Sequence, residues 1–343
     1  MKLSGYTSEK IKNISFLAIF AVFIIHTDCK GEKGSVSYFL QDWLHAGSNF
    51  AVPLFFIISG YLFFLNKSNL SQIKSGIRKR LKTLFIPYVI WCTLFIVQIW
   101  LASQFKAANN DYFSVLQNGE VLRFLKRVYI APPLAFHLWY VRDLLAVVAI
   151  SPLVYICQRK RPAIFILAVG VLCGLLKLIP WLSWPLTWFS IGSYFALSKR
   201  ELLELDNKWI GLALFLGYIS IMALLVTNHI YPTSDKWFAF PLFLIGIIGL
   251  WNVYDLFGLH RYFHPALTEQ TFFLYCAHVP FLTIVSSLLA PIVSGHQIAE
   301  IITYPLPALL TCVVLVMLAQ MWKKVNARSR ISSNIYRYLT GGR

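Results

Sequence analysis

The sequence predicts an all-α polytopic membrane protein of about ten transmembrane helices with both termini in the cytoplasm. Three observations carry that expectation. Hydrophobic residues make up 58% of the 343 and charged residues only 13%, whereas a soluble globular chain carries about 25% charged residues. Apolar runs of about 20 residues, enough to cross a hydrocarbon core of roughly 30 Å, recur along the whole length. Lysine and arginine are spread unevenly between alternate connections, as the positive-inside rule requires.

The runs lie near residues 12–29, 47–65, 84–104, 138–157, 163–180, 182–198, 209–228, 237–254, 270–290 and 299–322. The first follows Lys10 and Lys12 and has the look of a secretory leader. It lacks a small-residue cleavage site and further spans follow, so it is expected to be retained. Pro180 divides the fifth span from the sixth, and Pro185 is expected to open the sixth. With the N-terminus inside, the inner segments hold 22 lysines and arginines and the outer loops hold seven. That asymmetry accounts for most of the +17 net charge without any nucleic-acid partner. The longest connection, about 105–137, lies outside, and the basic tail 323–343 is expected to lie along the inner membrane surface. With no repeat of 20–50 residues and no appended soluble segment, residues 1–343 read as one membrane-embedded domain.

The six cysteines show no CxxC or metal-ligand spacing. Cys92, Cys157, Cys173, Cys276 and Cys312 lie in or beside apolar runs and are expected to pack as buried thiols. No metal site is expected. The Asn-x-Ser matches at Asn13, Asn66 and Asn69 face the cytoplasm in this topology, which removes them as glycosylation acceptors.

Ionisable residues inside a bilayer are costly and mark functional candidates. "FLAIFAVFIIHTD" ends the first span on His26, with Asp28 just beyond. Counted from Asn13, His26 stands about 20 Å along a helix, past the midplane. An imidazole there can take a proton from a hydroxyl and return it; the plainer alternative is a polar residue marking the span's end. His278, in "TFFLYCAHVPF", reads equally as a stabiliser of developing negative charge or as a helix-to-helix hydrogen bond. Arg142, in "FHLWYVRDLL", is a second candidate stabiliser, set against snorkelling to the interface or pairing with an acid of the outer loop. His137 beside it reads as an ordinary interfacial residue. "RKRLKTLFIPYVIW" sets Arg78, Lys79 and Arg80 just before Pro87. The positive-inside rule explains that cluster, and so does a dock for the phosphates of a cytosolic nucleotide-bearing substrate. In "VPLFFIISGYLFF", Ser59 and Gly60 allow close helix approach or leave room for a thin, extended ligand.

Taken in order, the His-terminated first span and these four segments resemble the acyltransferase family 3 proteins, bacterial membrane enzymes that O-acylate surface glycans. The resemblance runs from about residue 10 to 323. It implies a multi-pass protein of the bacterial inner membrane. It also implies transfer of an acetyl or other short acyl group from cytosolic acyl-CoA, used as donor substrate, to a sugar hydroxyl of a surface polysaccharide or its lipid-linked precursor. On the same basis His26 is the catalytic histidine, and Arg78, Lys79 and Arg80 belong to coenzyme A binding. The Leu-Trp-aromatic motif falls on Leu138, Trp139 and Tyr140, and the late Tyr-x-x-His on Tyr275 and His278. Trp139, Tyr140, Tyr275 and Ser59 are thereby the expected substrate-binding residues. Two positions depart from the family pattern: Ser15 stands where an arginine usually precedes the histidine by eleven residues, and Thr83 where another basic residue is common. Two rival readings fit the same spans: a transporter or flippase of lipid-linked sugars, and a catalytically inactive relative acting as a scaffold.

Overall fold

The computed structural model describes residues 3–27, 34–104, 118–130, 134–160, 180–233, 238–293, 304–326 and 330–342. Isolated positions at 113, 116, 162, 164–165, 168–169, 236 and 301 are also described. Among these residues every regular element is helical. The principal helices are α1 (Gly5–Ile25), α2 (Val36–Ser48), α3 (Ala51–Phe64), α4 (Leu70–Arg80) and α5 (Ile86–Gln104). They continue as α6 (Val121–Tyr129), α7 (Trp139–Ala149), α8 (Ser151–Lys160), α9 (Pro180–Leu197) and α10 (Lys208–Thr227). The series ends with α11 (Ala239–Leu256), α12 (Thr271–Val293), α13 (Leu306–Asn326) and α14 (Arg330–Thr340).

By length and composition six stretches among the described residues can cross a membrane: 36–64, 70–104, 208–227, 239–256, 271–289 and 306–325. The pair 136–149 and 151–160, bent by 58°, brings the number to seven if it forms one span. The chain is a multi-pass membrane protein. The expected spans at 12–29 and 182–198 correspond to α1 and α9, whose composition is less apolar for physical reasons. Glu9, Lys10 and Lys12 fall inside α1, and α9 is rich in tryptophan, serine and proline because it is packed inside the bundle. The expected span at 163–180 falls largely outside the described residues.

Local chemistry sets the helix ends. Ser4 caps α1 by accepting the Thr7 amide at 2.9 Å, and Asn69 caps α4 by accepting that of Gln72 at 2.9 Å. Ser35 caps α2 in the same way, a helix absent from the sequence reading, which placed 36–46 in a loop. Pro180 opens α9, and Pro185 lies inside it, not at its start as expected. Between α4 and α5 residues 81–85 form a π-helical turn. Pro87 explains it: lacking an N–H, it cannot pair with the carbonyl of Thr83, so the helix widens there.

The tightest packing is where α3 crosses α9. A Cβ on Gly60 would lie 2.1 Å from the Phe189 carbonyl oxygen, and one on Gly192 would lie 1.8 Å from that of Ile57. Only glycine at both positions permits the backbones to meet. The close approach expected of the Ser59–Gly60 pair is therefore present, and Gly192 is its partner. On the lipid side, Leu309, Val313, Met317 and Met321 form an exposed apolar stripe along α13. Cys92, Cys276 and Cys312 are buried as free thiols, but Cys157 is exposed on α8, contrary to expectation. Cys173 and Asp28 lie outside the described residues.

α1 is held in place at both ends. The Lys10 ammonium, 1% exposed, bonds Glu204 Oε1 and Asp255 Oδ2, each at 2.6 Å, and lies 4.6 Å from the centre of the Trp251 ring. Lys208 and Trp251 Nε1 share Glu204. At the other end Tyr304 donates toward the carbonyls of Ile24, at 3.3 Å, and Thr27, at 3.4 Å. The tail does not simply lie on a surface: α14 folds back onto the bundle, with Trp91 Nε1 donating to the Leu339 carbonyl at 3.1 Å.

Gly192→Val is expected to disrupt the α3–α9 crossing, costing about 1–3 kcal/mol or more because the obstacle is backbone. Gly217→Ala, where nothing lies within 4 Å, is expected to be neutral or slightly stabilising. Thermal unfolding of the two variants in detergent checks this. Equal midpoints would contradict the contact.

Candidate functional site

α1 ends at His26, which forms its C-cap with φ −98° and ψ 5°. The imidazole is not alone. Its ring centre lies 5.1 Å from that of His278 on α12, and His278 in turn lies 5.3 Å from His137. Phe136 closes on His26 edge-on at 5.5 Å, and Phe23 stacks flat against His278 at 5.2 Å. Three imidazoles from α1, α12 and the turn before α7 thus converge. His137, 2% exposed, is a member of this cluster and not the interfacial residue expected from the sequence. The "FHLWY" run held the signal, but nothing in a linear sequence brings residue 137 beside residue 278.

The hydrogen bonds fix what these rings offer. His278 Nδ1 is 2.6 Å from the Tyr275 carbonyl oxygen, and His137 Nε2 is 3.2 Å from that of Cys276. A carbonyl only accepts, so in each case the nitrogen carries the proton and donates it. In a neutral ring the other nitrogen then holds a lone pair. His278 Nε2 and His137 Nδ1 are both buried without a hydrogen-bond partner. A neutral His278 therefore offers a base to the site and not the N–H that an oxyanion would need. Arg142 is elsewhere: its Nε pairs with Asp143 at 2.7 Å and its Nη1 donates to the Ile130 carbonyl at 3.2 Å. The Asp143 carboxylate is itself buried, so the guanidinium acts as its counter-ion.

A cavity of about 500 Å³ opens among α1, α3, α7 and α12 at the Lys12 end of the bundle. Lys12, Arg80, Glu269 and Lys323 surround one end of it. Lys323 bonds Glu269 at 2.8 Å and, with help from Lys12, holds that carboxyl below the ordinary carboxylate range. Ser15, one of the two positions that depart from the pattern of the resemblance, lines the wall. The other end is formed by Ser59, Tyr140 and Tyr275. Ser59 and Tyr140 share a hydroxyl–hydroxyl bond of 2.9 Å, Tyr140 also reaches the Phe55 carbonyl at 3.3 Å, and the Tyr275 hydroxyl donates to the His137 carbonyl. The two tyrosine rings meet edge-on at 5.5 Å.

These three residues form a layer at the end of the cavity. Tyr275 precedes His278 by three residues, one helical turn, so the imidazoles lie just past the layer on its far side. None of the three histidines lines the cavity. Of the remaining expected residues, Arg80 reaches the cavity and Lys79 an adjoining one. Arg78 is exposed and lines neither. Trp139 packs on Phe56, with ring centres 6.4 Å apart, and stands outside the layer.

No solved structure matches the chain. The succinoglycan biosynthesis protein ExoH of Rhizobium meliloti (strain 1021) is 24% identical over 305 residues, covering 82% of this chain and 80% of that protein. The model of the acyltransferase domain family matches residues 11–322, a range that takes in all three imidazoles and every residue of the cavity lining but Lys323. The chain belongs to that family and is an acyltransferase.

Proposed function

We propose that the protein moves an acetyl or other short acyl group from acyl-CoA to a sugar hydroxyl of a surface polysaccharide or its lipid-linked precursor. The donor enters from the cytoplasmic side of the inner membrane. The observation that supports this most is the pairing of a cavity lined by basic residues at one end with a histidine cluster past the other. A volume of about 500 Å³ is within the usual range of small-molecule sites, about 300–1,000 Å³. The relative ExoH, named for succinoglycan biosynthesis, favours a polysaccharide acceptor.

The chemistry follows from the residues. The acceptor hydroxyl attacks the thioester carbonyl carbon while His26 takes its proton. The tetrahedral oxyanion then collapses, the C–S bond breaks, and the departing sulfur takes the proton back from the imidazolium. Ester and free thiol are the products, and His26 is neutral again. The lone pairs at His278 Nε2 and His137 Nδ1 let the neighbouring rings share the positive charge while it exists. The donor meets the acceptor only if the Ser59–Tyr140–Tyr275 layer opens, so Tyr140 and Tyr275 act as positioning residues for the thioester.

His26→Ala is expected to lower the transfer of radiolabel from acetyl-CoA to glycan by about 10²- to 10⁴-fold with membrane insertion unchanged. Wild-type-like transfer would remove the base. Movement of unlabelled lipid-linked glycan across vesicles, with no label incorporated, would favour a flippase instead.

Ser59→Trp places a large ring at the inner end of the cavity. It is expected to raise the KM for acetyl-CoA at least about tenfold, an effect of about 1.4 kcal/mol, while the KM for the acceptor stays close to wild type. Initial-rate kinetics with each substrate varied in turn checks it, and parallel changes in both constants would place the donor elsewhere.

A further inference from the structure

Pro280 lies inside α12, two residues past His278. Lacking an N–H, it cannot serve the carbonyl four residues back, which is that of Cys276. The missing bond comes from another element. His137 Nε2, in the turn before α7, donates to that oxygen at 3.2 Å. An imidazole thus stands in for a helical amide. The proline is itself held in place, because Gln98 of α5 donates to its carbonyl at 3.2 Å.

The His137 ring has little freedom. Phe95 and Phe136 meet it edge-on with ring centres 5.1 and 5.8 Å away, and His278 stands nearly perpendicular to it at 5.3 Å. The Tyr275 hydroxyl donates to the His137 carbonyl and fixes its main chain. A neutral imidazole whose Nε2–H is given to a carbonyl is locked in that tautomer. Nδ1 is therefore bare, and it is buried with no hydrogen-bond partner. Serving the Cys276 carbonyl needs a donor alone, so this unsatisfied nitrogen is a cost that packing does not explain. Of the three rings around His137 only His278 can carry a proton, and its centre lies 5.1 Å from that of His26. A bare nitrogen is a partial negative charge, which favours a cation nearby where water is scarce. The opposite tautomer would put an N–H there and repel it.

We infer that Pro280 and His137 form a positioning pair for acyl transfer. The carbonyl that the proline opens in α12 locks His137 in one tautomer. The bare Nδ1 so held favours the positive charge that the cluster carries while His26 keeps the acceptor's proton. His137 itself gains and loses no proton. This rests on the reading of His26 as the base and adds to it a role for the proline beside His278.

The test uses the full chain in detergent, with labelled acetyl-CoA and surface polysaccharide from cells lacking the protein. His137→Leu is expected to lower kcat about 10- to 100-fold, the range found when a metal-bound imidazole loses the group that orients it. Both KM values are expected to stay close to wild type. Pro280→Ala returns an N–H to the Cys276 carbonyl and releases the ring. It is expected to leave the thermal midpoint unchanged or raised and yet to lower kcat. The double variant is expected to be no slower than His137→Leu, because both changes remove one device. His137→Gln places a donor and an acceptor on either side of one carbon, as the imidazole does, and is expected to recover most of the loss. Nitrogen-15 spectra of histidine-labelled protein are expected to show the signal that His137→Gln removes as protonated at Nε2 and bare at Nδ1. A lowered midpoint with unchanged kcat in His137→Leu would make the residue a packing group and overturn the inference. Additive losses in the double variant, or the opposite tautomer in the spectrum, would overturn it as well. The spectrum needs no turnover, so it decides the tautomer whatever the acyl donor. Full activity in His26→Ala would instead overturn the base, and this pairing with it.

Discussion

The buried ammonium of Lys10 is the constraint on which the rest of the structure depends. It sits between Glu204 and Asp255 and beneath Trp251, tying α1 to α11 and to the segment before α10. A charge so placed cannot shift along the helix axis without losing its partners, and an unpaired charge there would cost about 3–5 kcal/mol. α1 is thereby fixed in height. Lys12 and Ser15 meet the cavity from it, and His26 arrives at the level of His278 and His137. One ion network outside the site sets the register of nearly everything in it.

A second constraint acts where water is scarce. His278 and His137 each commit one nitrogen to a main-chain carbonyl of α12, and in doing so each presents a lone pair to the space they share. Below them Ser59 and Tyr140 bond to each other, Tyr140 reaches the Phe55 carbonyl and the Tyr275 hydroxyl donates to that of His137, so a layer of satisfied hydroxyls stands between the cavity and the histidines. Two tyrosine rings meeting edge-on fill that boundary while keeping their own polar groups satisfied.

How much of this was legible in the sequence varies residue by residue. The apolar runs mark most of the helices because lipid imposes a length and a composition on each. Ser59–Gly60 signalled a close crossing, and Gly60 makes one. The readings that failed did so for local reasons. Residues 36–46 are too polar to look like a span, yet form a capped helix. Pro185 was read as a helix start, though a helix buried among protein tolerates an internal proline. Cys157 sits in an apolar run but faces outward, because in a membrane protein apolar and buried are different properties.

The sequence by itself determined the class of the protein, the placement of most helices and the presence of an imidazole at the end of the first. Each follows from the cost of polar groups in hydrocarbon, which is paid locally and so is written locally. Only the tertiary structure decided that His137 joins His26 and His278, that Arg142 is engaged with Asp143, and that the last glycines of the chain wall a basic cavity near Lys67. Those facts depend on contacts between residues more than 100 positions apart, or on which face of a helix turns inward. Periodicity along a chain that is apolar on nearly every face carries no record of either.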